Sequence, residues 1–261
     1  MSFSFFRCFR SEWMKKKGSL ASWIVVIGAF FTPAIVTVAR ILRPEKLAEL
    51  TASDDFWTKL WMNSWESMAV FLLPIGVILA TSLITQIEYK NNTWKQLHTL
   101  PIRLSVIFLA KLSVILVMML QFFALFNIGI YLSGVVPALV SAGVSIPRAP
   151  FPLMRFLQED ARYFIDCLPI VALQYLISLR FKNFLVPVGA GFLLWIGALG
   201  ALRWSYGYWI PYTYCMFNYL KSGVETKAVL PTVDIHAFAV GYFVCLTAVS
   251  YLLYVTKEEK G

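Results

Sequence analysis

Charged residues are scarce in this chain of 261 residues, of which only 14% are Asp, Glu, Lys or Arg. A soluble domain carries roughly a quarter charged residues, whereas 59% of this chain is hydrophobic and its mean hydropathy is +0.70. This composition excludes most soluble folds and predicts an all-α integral membrane protein. The basic residues behind the net charge of +9 lie beside apolar runs. They therefore indicate membrane orientation, and we expect membrane lipid and no nucleic acid as a partner.

Residues and motifs that carry chemistry are also scarce. The phosphate-binding run GxxxxGK[ST] and the motifs HExxH and GxSxG are all missing. If the chain has six spans, His98 and His236 lie on opposite sides of the membrane, so they cannot share a metal. The four cysteines show neither close pairing nor metal spacing: Cys8, Cys167, Cys215 and Cys245. We therefore expect no catalytic residue, no metal and no cofactor on this chain.

Long apolar runs dominate what is present. A helix needs about 20 apolar residues to cross a hydrocarbon core of about 30 Å. By this measure residues 1–261 form a single transmembrane domain of six spans, at about 20–39, 68–87, 105–134, 161–179, 184–202 and 236–255. The third run is over-long and is expected to tilt or to project from the membrane at one end. The connections at 40–67, 135–160 and 203–235 are too short to form a separate domain.

The distribution of basic residues predicts the orientation of these spans. With six spans, one side holds both termini and the connections after the second and fourth spans. That side carries 13 of the 23 Lys and Arg residues but only 4 of the 14 acidic ones. Because basic residues concentrate on the cytoplasmic side of membrane proteins, both termini are expected to be cytoplasmic.

The first 18 residues have the pattern of an amphipathic helix. Phe5, Phe9 and Trp13 recur every fourth residue, while Arg7 and Arg10 fall largely on another face. This pattern favours a helix in the membrane interface, with its rings directed toward the membrane, over a frayed cytoplasmic tail.

Charges within the apolar runs are few. Asp166 is a candidate for a transport role, although a pair with Arg162, one helical turn earlier, is the more ordinary interpretation. Lys111 lies two turns into the third span, from where its long side chain is expected to reach the cytoplasmic face. An ion-coupled transporter would need more buried charge than this, so the energy for transport is expected to come from elsewhere.

An aromatic segment, WSYGYWIPYTYCMFNYL at 204–220, precedes the last span and is broken by Gly207 and Pro211. A seventh span is one interpretation. Its ring-rich composition favours interfacial or re-entrant helices instead, because aromatic rings are enriched at the headgroup level.

A polar segment, EYKNNTWKQLHTLPIR at 88–103, separates the second and third spans. Asn91 or Asn92 can cap a short helix, and Pro101 would end it. A plain connecting loop anchored by Trp94 is supported equally well by these residues alone. The pattern E-x-K-N-x-T-W-K-x-L-x-x-x-P in this segment resembles the cytoplasmic loop between spans two and three of type-2 ABC exporter permeases. It is most similar to the permeases of bacteriocin and lantibiotic self-protection exporters.

This resemblance implies a transport subunit in a bacterial cell membrane that works with a separate cytoplasmic ABC ATPase and with a second permease copy or a paralogous permease. ATP and Mg²⁺ would bind to the ATPase. The polar segment would form a coupling helix that contacts the ATPase through Glu88, Asn92, Thr93, Trp94, Lys95, Gln96, Leu97 and His98. The N-terminal helix would flank the same partner through Glu12, Trp13, Lys15, Lys16 and Lys17, and an outer gate would include Tyr206, Trp209, Pro211 and Tyr212.

The expected function is therefore the ATP-driven export of an amphiphilic substrate, such as an antimicrobial peptide or a lipid-like compound. Two alternatives stay open. One is a non-transporting membrane scaffold or sensor that binds an ATPase. The other is a polytopic membrane enzyme, which the absence of paired carboxylates and His clusters in the spans disfavours.

Overall fold

Apolar helices account for almost all of the regular structure. The computed structural model describes residues 2–43, 51, 53–90, 102–140, 146–222 and 229–256. Within these ranges every regular element is helical and no strand occurs. The predicted all-α membrane architecture is therefore confirmed.

Nine α-helices follow one another along the described chain. They are α1 (Ser2–Lys16), α2 (Leu20–Ile41), α3 (Phe56–Ser67), α4 (Leu73–Lys90), α5 (Leu104–Val140), α6 (Leu153–Arg180), α7 (Leu185–Ala201), α8 (Tyr214–Lys221) and α9 (Ile235–Val255). A π-helical turn, Met68–Leu72, joins α3 to α4, and two 3₁₀ turns, Gly207–Trp209 and Pro211–Thr213, precede α8. We call the helix ends on the side of α1 the inner ends and the opposite ends the outer ends.

Five helices in the described ranges are long and apolar enough to cross a membrane. They correspond to the first, second, third, fourth and sixth predicted spans. The fifth predicted span is α7, which is apolar but has only 17 residues. The chain is therefore a multi-pass membrane protein with the predicted order of spans.

The second span begins earlier than predicted. The region 56–67 was expected to lie in a connecting loop, but α3 occupies it and continues through the π-helical turn into α4. Trp57, Trp61 and Trp65 recur every fourth residue and are all buried. Lys59 and Glu66 make this region look like a loop in a hydropathy plot, whereas the tryptophan face makes it helical.

The third and fourth spans also extend further at their outer ends. α5 continues to Val140 instead of ending near residue 134, and α6 begins at Leu153 instead of residue 161. In α6, Phe156 and Tyr163 are buried at helical spacing, although Glu159 lies between them in the sequence. The outer ends of α3, α5 and α6 therefore pack together around buried aromatic rings.

The spans pack side by side, and α2 contacts α4 as well as α5. α2 lies along α5, while α6 lies between α9 and α4. α7 contacts both α4 and α6, and α1 packs against α5. Many apolar side chains of α2, α7 and α9 point outward, as lipid-facing helices require.

Candidate functional site

The inner end of α5 is covered by an aromatic face of α1. The Phe5 and Phe9 ring centroids are 6.4 Å apart, and those of Phe9 and Trp13 are 6.0 Å apart. These half-buried rings pack against the protein core, beside the buried Cys8 and Val106. The amphipathic helix is thus confirmed, but its rings contact α5, whereas the sequence pattern directed them to the membrane.

A buried ion pair connects α1 to α5. The distance from Lys111 Nζ to Glu12 Oε2 is 2.7 Å, and the two side chains are 2% and 3% exposed. Lys15 bonds to the other carboxylate oxygen of Glu12. Burial raises the pKa of Glu12, but the charges and hydrogen bonds of Lys111 and Lys15 outweigh burial and hold it below the usual value. Lys111 is thus directed to Glu12 of α1 and is buried there, and its reach to the cytoplasmic face stays a prediction.

Lys16 makes a second contact between the same helices. Its Nζ donates to Gln121 Oε1 at 2.8 Å and lies 3.6 Å from the centroid of the Trp13 ring. Burial lowers the pKa of Lys16, since it disfavours the charged form. Among the residues expected to flank an ATPase, Glu12 and Lys16 therefore face α5, whereas Lys17 is exposed.

The predicted coupling helix lies mostly outside the described residues. Glu88 belongs to the last turn of α4, and residues 92–98 fall in the range that the structure does not describe. The described flanks show that the polar segment joins the inner end of α4 to the inner end of α5. Lys111 lies about 10 Å along α5 from Leu104, given a rise of 1.5 Å per residue. The ion pair with α1 is therefore two helical turns beyond the polar segment.

A buried polar chain runs from this end of α4 along α6. Gln86 Nε2 donates to the backbone oxygens of Ser178 at 3.2 Å and Phe181 at 2.7 Å. The hydroxyls of Ser178 and Ser82 are 3.4 Å apart, and Ser82 Oγ lies 3.5 Å from Gln174 Oε1. Polar contacts of this kind tie transmembrane helices together, because lipid offers their groups no partner.

The polar chain ends in the aromatic segment. Gln174 Nε2 donates to Tyr212 Oη at 2.8 Å, and burial raises the pKa of Tyr212 to about 12. Gly191 of α7 makes room for this contact, because a Cβ there would lie 2.1 Å from Gln174 Nε2. The polar chain of Gln86, Ser178, Ser82, Gln174 and Tyr212 thus links the inner end of α4 to the segment before the last span.

The aromatic segment folds back against α6 and α7 instead of crossing as a seventh span. α8 has only eight residues, and the second 3₁₀ turn before it packs on α6 and α7. Gly207 is required here, because a Cβ would lie 2.3 Å from the Ala201 carbonyl oxygen. Of the predicted gate residues, Tyr206 and Trp209 are exposed, Tyr212 is buried, and Pro211 begins the second 3₁₀ turn. The seventh-span alternative is therefore wrong.

Asp166 is buried but does not pair with Arg162. Its Oδ1 lies 2.8 Å from Nδ1 of His236 in α9, while Arg162 pairs with Glu159 at 2.7 Å. The predicted pair within α6 is wrong because α9 supplies a partner 70 residues later in the sequence. Asp234 caps α9 by accepting a hydrogen bond from the His236 backbone N–H at 3.0 Å.

Two further buried contacts escaped the sequence analysis. Asn127 of α5 donates to Asp160 of α6, and both residues lie at the outer end. The thiols of Cys167 and Cys215 are 3.5 Å apart, although the cysteines are 48 residues apart in sequence. A polar residue within an apolar run, such as Asn127, was the available signal. Within the described ranges no three His, Cys, Asp or Glu side chains come close enough to hold a metal ion.

Membrane-crossing helices and a short segment folded back before the last span describe a multi-pass membrane protein. The family model for ABC-2 family transporter proteins matches residues 8–198, so the chain belongs to this family. The match does not extend to the bacteriocin and lantibiotic subtype, which stays a prediction. No curated protein matches the chain.

Proposed function

We propose that this chain is the permease subunit of an ATP-driven exporter that moves an amphiphilic substrate out of the membrane or the cell. Its membership of the ABC-2 transporter family carries the proposal. ABC-2 permeases normally work with a cytoplasmic ATPase, and this sequence lacks a phosphate-binding loop of its own. ATP and Mg²⁺ would bind to the partner, and a second permease copy or a paralogous permease would complete the transporter.

The polar segment is the proposed contact with the ATPase. It joins α4 to α5, so a displacement of this segment would act on both helices at their inner ends. Residues 92–98, with Trp94 at their centre, would form the coupling helix. Closure of two ATPase subunits would move the two coupling helices of a permease dimer, and packed helices respond to such movement by rigid shifts.

Two described contacts would carry that movement further. The Glu12–Lys111 ion pair holds α1 to α5, so these helices would move together. The polar chain connects α4 through α6 to Tyr212, beside the exposed Tyr206 and Trp209 that form the proposed outer gate. Support for this route is the continuity of its contacts.

The substrate class and the orientation follow from charge. The spans contain few charged residues, which favours an amphiphilic substrate such as an antimicrobial peptide or a lipid-like compound. The side with 13 of the 23 basic residues would face the cytoplasm of a bacterial cell, together with both termini. Self-protection against a bacteriocin is the specific role that the motif suggests.

Reconstitution with the ATPase chain that co-purifies with the tagged protein tests the proposal. In lipid discs, candidate amphiphiles should stimulate ATP hydrolysis by the complex. Trp94→Ala or Lys95→Glu should abolish co-purification or turnover while membrane insertion stays intact. Leu252→Ala is the control, since Leu252 of α9 is 61% exposed and lies outside both the polar segment and the proposed gate.

Two outcomes would contradict the proposal. Co-purification of the ATPase at wild-type yield with normal turnover in the Trp94→Ala variant would exclude the coupling-helix assignment. Partner binding with no turnover under any substrate would instead favour the scaffold alternative.

Cysteine labelling in intact cells tests the orientation separately. A thiol introduced by Gln96→Cys should react only from the cytoplasm, and one introduced by Leu50→Cys only from outside. The reverse pattern would overturn the orientation derived from charge.

A further inference from the structure

An apolar groove lies between α2, α4 and α5 and has a volume of about 390 Å³. This volume falls within the range of about 300–1,000 Å³ that is usual for small-molecule sites. Almost every lining side chain is apolar, including Trp23, Ile24 and Met118. The groove is therefore suited to a hydrocarbon chain.

Two glycines create much of the space in this groove. A Cβ added at Gly76 of α4 would meet nothing within 4 Å, and one added at Gly28 of α2 would meet only Phe122, at 3.7 Å. Both glycines line the groove. A larger side chain at Gly76 would consequently fill the groove without a clash in the protein.

The groove has the length of one membrane leaflet. Along α2 its lining runs from Leu20 to Phe31, which is about 16 Å at a rise of 1.5 Å per residue. That is half of a hydrocarbon core of about 30 Å. A single acyl chain from the leaflet on the side of α1 would therefore match it.

The inner end of the groove is basic. Lys17 is exposed and lies three residues before Leu20, where the lining of α2 begins. Ser19 caps α2, and the first N–H groups of a helix, together with its dipole, attract negative charge. The charge at this end therefore complements an anionic headgroup.

The buried hydroxyl of Thr81 lies at the same end of the groove. Thr81 lies in the middle of α4 and is the innermost α4 residue that lines the groove; it is 0% exposed, and its Oγ1 has no hydrogen-bond partner among the described residues. A buried hydroxyl without a partner is costly. Because Thr81 is fully buried, a lipid in the groove can accept a hydrogen bond from it only if the side chain turns toward the groove.

We propose that this groove binds one acyl chain of an anionic membrane lipid from the leaflet on the side of α1. The headgroup lies against Lys17 and the first turn of α2, and the ester region lies beside Thr81. This assignment requires only that the helices span the membrane; it does not depend on an ATPase or on transport.

Photolabelling of the purified full chain tests the site. The protein is reconstituted in phosphatidylcholine vesicles that contain phosphatidylglycerol with a diazirine in its acyl chain, and labelled peptides are mapped by mass spectrometry. Labels should concentrate on the groove faces of α2 and α4, not on α9, which is at least as exposed as α2. Gly76→Leu should reduce groove labelling at least threefold, while Gly241→Leu, at an open glycine on α9, should leave it unchanged.

The headgroup part of the proposal has its own variants. Lys17→Gln should weaken labelling by the anionic lipid about fivefold, the factor that corresponds to about 1 kcal/mol per basic residue. Labelling by phosphatidylcholine with the same diazirine chain should not change. Thr81→Val should lower retention of the lipid while keeping the shape of the groove. This variant also tests the site if Gly76→Leu does not fold.

Three results would overturn the assignment. Labels spread over α2, α7 and α9 in proportion to exposure, with no effect of Gly76→Leu, would mean ordinary annular lipid. Equal labelling by both lipids with no effect of Lys17→Gln would remove the anionic headgroup. Crosslinks between two copies of the chain at the groove, without lipid labels, would make a second copy the occupant.

Discussion

The two ends of α5 are covered in different ways. At the inner end, α1 supplies a buried ion pair, in which Lys111 and Glu12 are 2.7 Å apart. At the outer end, α3 and α6 supply aromatic rings, and the Trp65 and Tyr163 ring centroids are 3.6 Å apart. Aromatic packing depends on shape and buried area, whereas a buried ion pair depends on two specific charges and becomes unfavourable when one is removed. The inner cover therefore depends on keeping two charges together, while the outer cover depends on the shape and buried area of several rings.

The largest expected effect is at the outer end. Trp65 is fully buried among aromatic rings, so Trp65→Ala should lower the free energy of unfolding by about 3–5 kcal/mol. This corresponds to a fall of about 6–20 °C in Tm for a chain of this size. Thermal unfolding in detergent measures it. Trp204→Ala, at an exposed ring, should shift Tm by only a few degrees; equal losses in both variants would contradict the packing argument.

Removing the cation at the inner end should have the next largest effect. Lys111→Met leaves Glu12 buried, and breaking a buried pair costs about 3–5 kcal/mol. The lower end of that range applies because Lys15 still bonds to Glu12. α1 should separate from α5, and alkylation of Cys8, which is 8% exposed, should accelerate about a hundredfold.

The same experiment includes its own control. Replacing both charges, with Glu12→Met and Lys111→Met together, should return Cys8 alkylation to nearly the wild-type rate, because a buried pair can be replaced by apolar residues. A double variant as reactive as the single one would show that the two charges do not act as a pair.

A smaller change in stability is expected when a methyl group is added at a glycine. The effect should differ between a tightly packed glycine at the outer end and a glycine beside open space. A Cβ at Gly134 would lie 2.5 Å from the Trp57 ring, whereas one at Gly197 would meet nothing within 4 Å. Gly134→Ala should therefore destabilise the protein by about 1–3 kcal/mol through overpacking. Gly197→Ala should stabilise α7 by about 0.5–1 kcal/mol. Tm values of the two variants in one detergent should move in opposite directions.

The smallest change in stability is expected at Lys16, which is buried like Lys111 but has no carboxylate partner among the described residues. Lys16 bonds to the neutral Gln121 and lies over Trp13, with its pKa lowered by burial. Lys16→Met should change the free energy of unfolding by less than about 1 kcal/mol, because no carboxylate is left without its partner. Cys8 alkylation should stay slow. A rate as high as that of Lys111→Met would show that any lysine on this face holds α1 in place.

Much of the fold could be predicted from the sequence because lipid imposes simple rules. Apolar runs of sufficient length must be helices, since the backbone finds no partner in hydrocarbon. The extensions of α3 and α6 were missed because Lys59, Glu66 and Glu159 lower the local hydropathy. The buried rings keep a helical spacing in spite of these charges, and a hydropathy average over a window of residues does not register that spacing.

The contacts at the candidate site were harder to predict. Glu12 and Lys111 are 99 residues apart, and Asp166 and His236 are 70 apart. Local spacing suggested partners within the same helix, such as Arg162 for Asp166, because only those distances can be read from one sequence. The polar segment was identified by its motif, and its contacts with an ATPase remain a prediction since residues 92–98 lie outside the described ranges.

The π-helical turn between α3 and α4 sets the angular phase of a rod of 35 residues, from Phe56 to Lys90. Each residue of an α-helix advances about 100° around its axis. The extra residue in the wider turn therefore lets Trp65 face the rings of α5 and α6 while Ser82 and Gln86 still face α6. Deleting one residue from Met68–Leu72 would misalign one half of the rod with its neighbours. The π-helical turn is also the point where the rod can twist. A rotation of α4 about its axis, applied at the inner end, could be taken up in this turn without rotating α3.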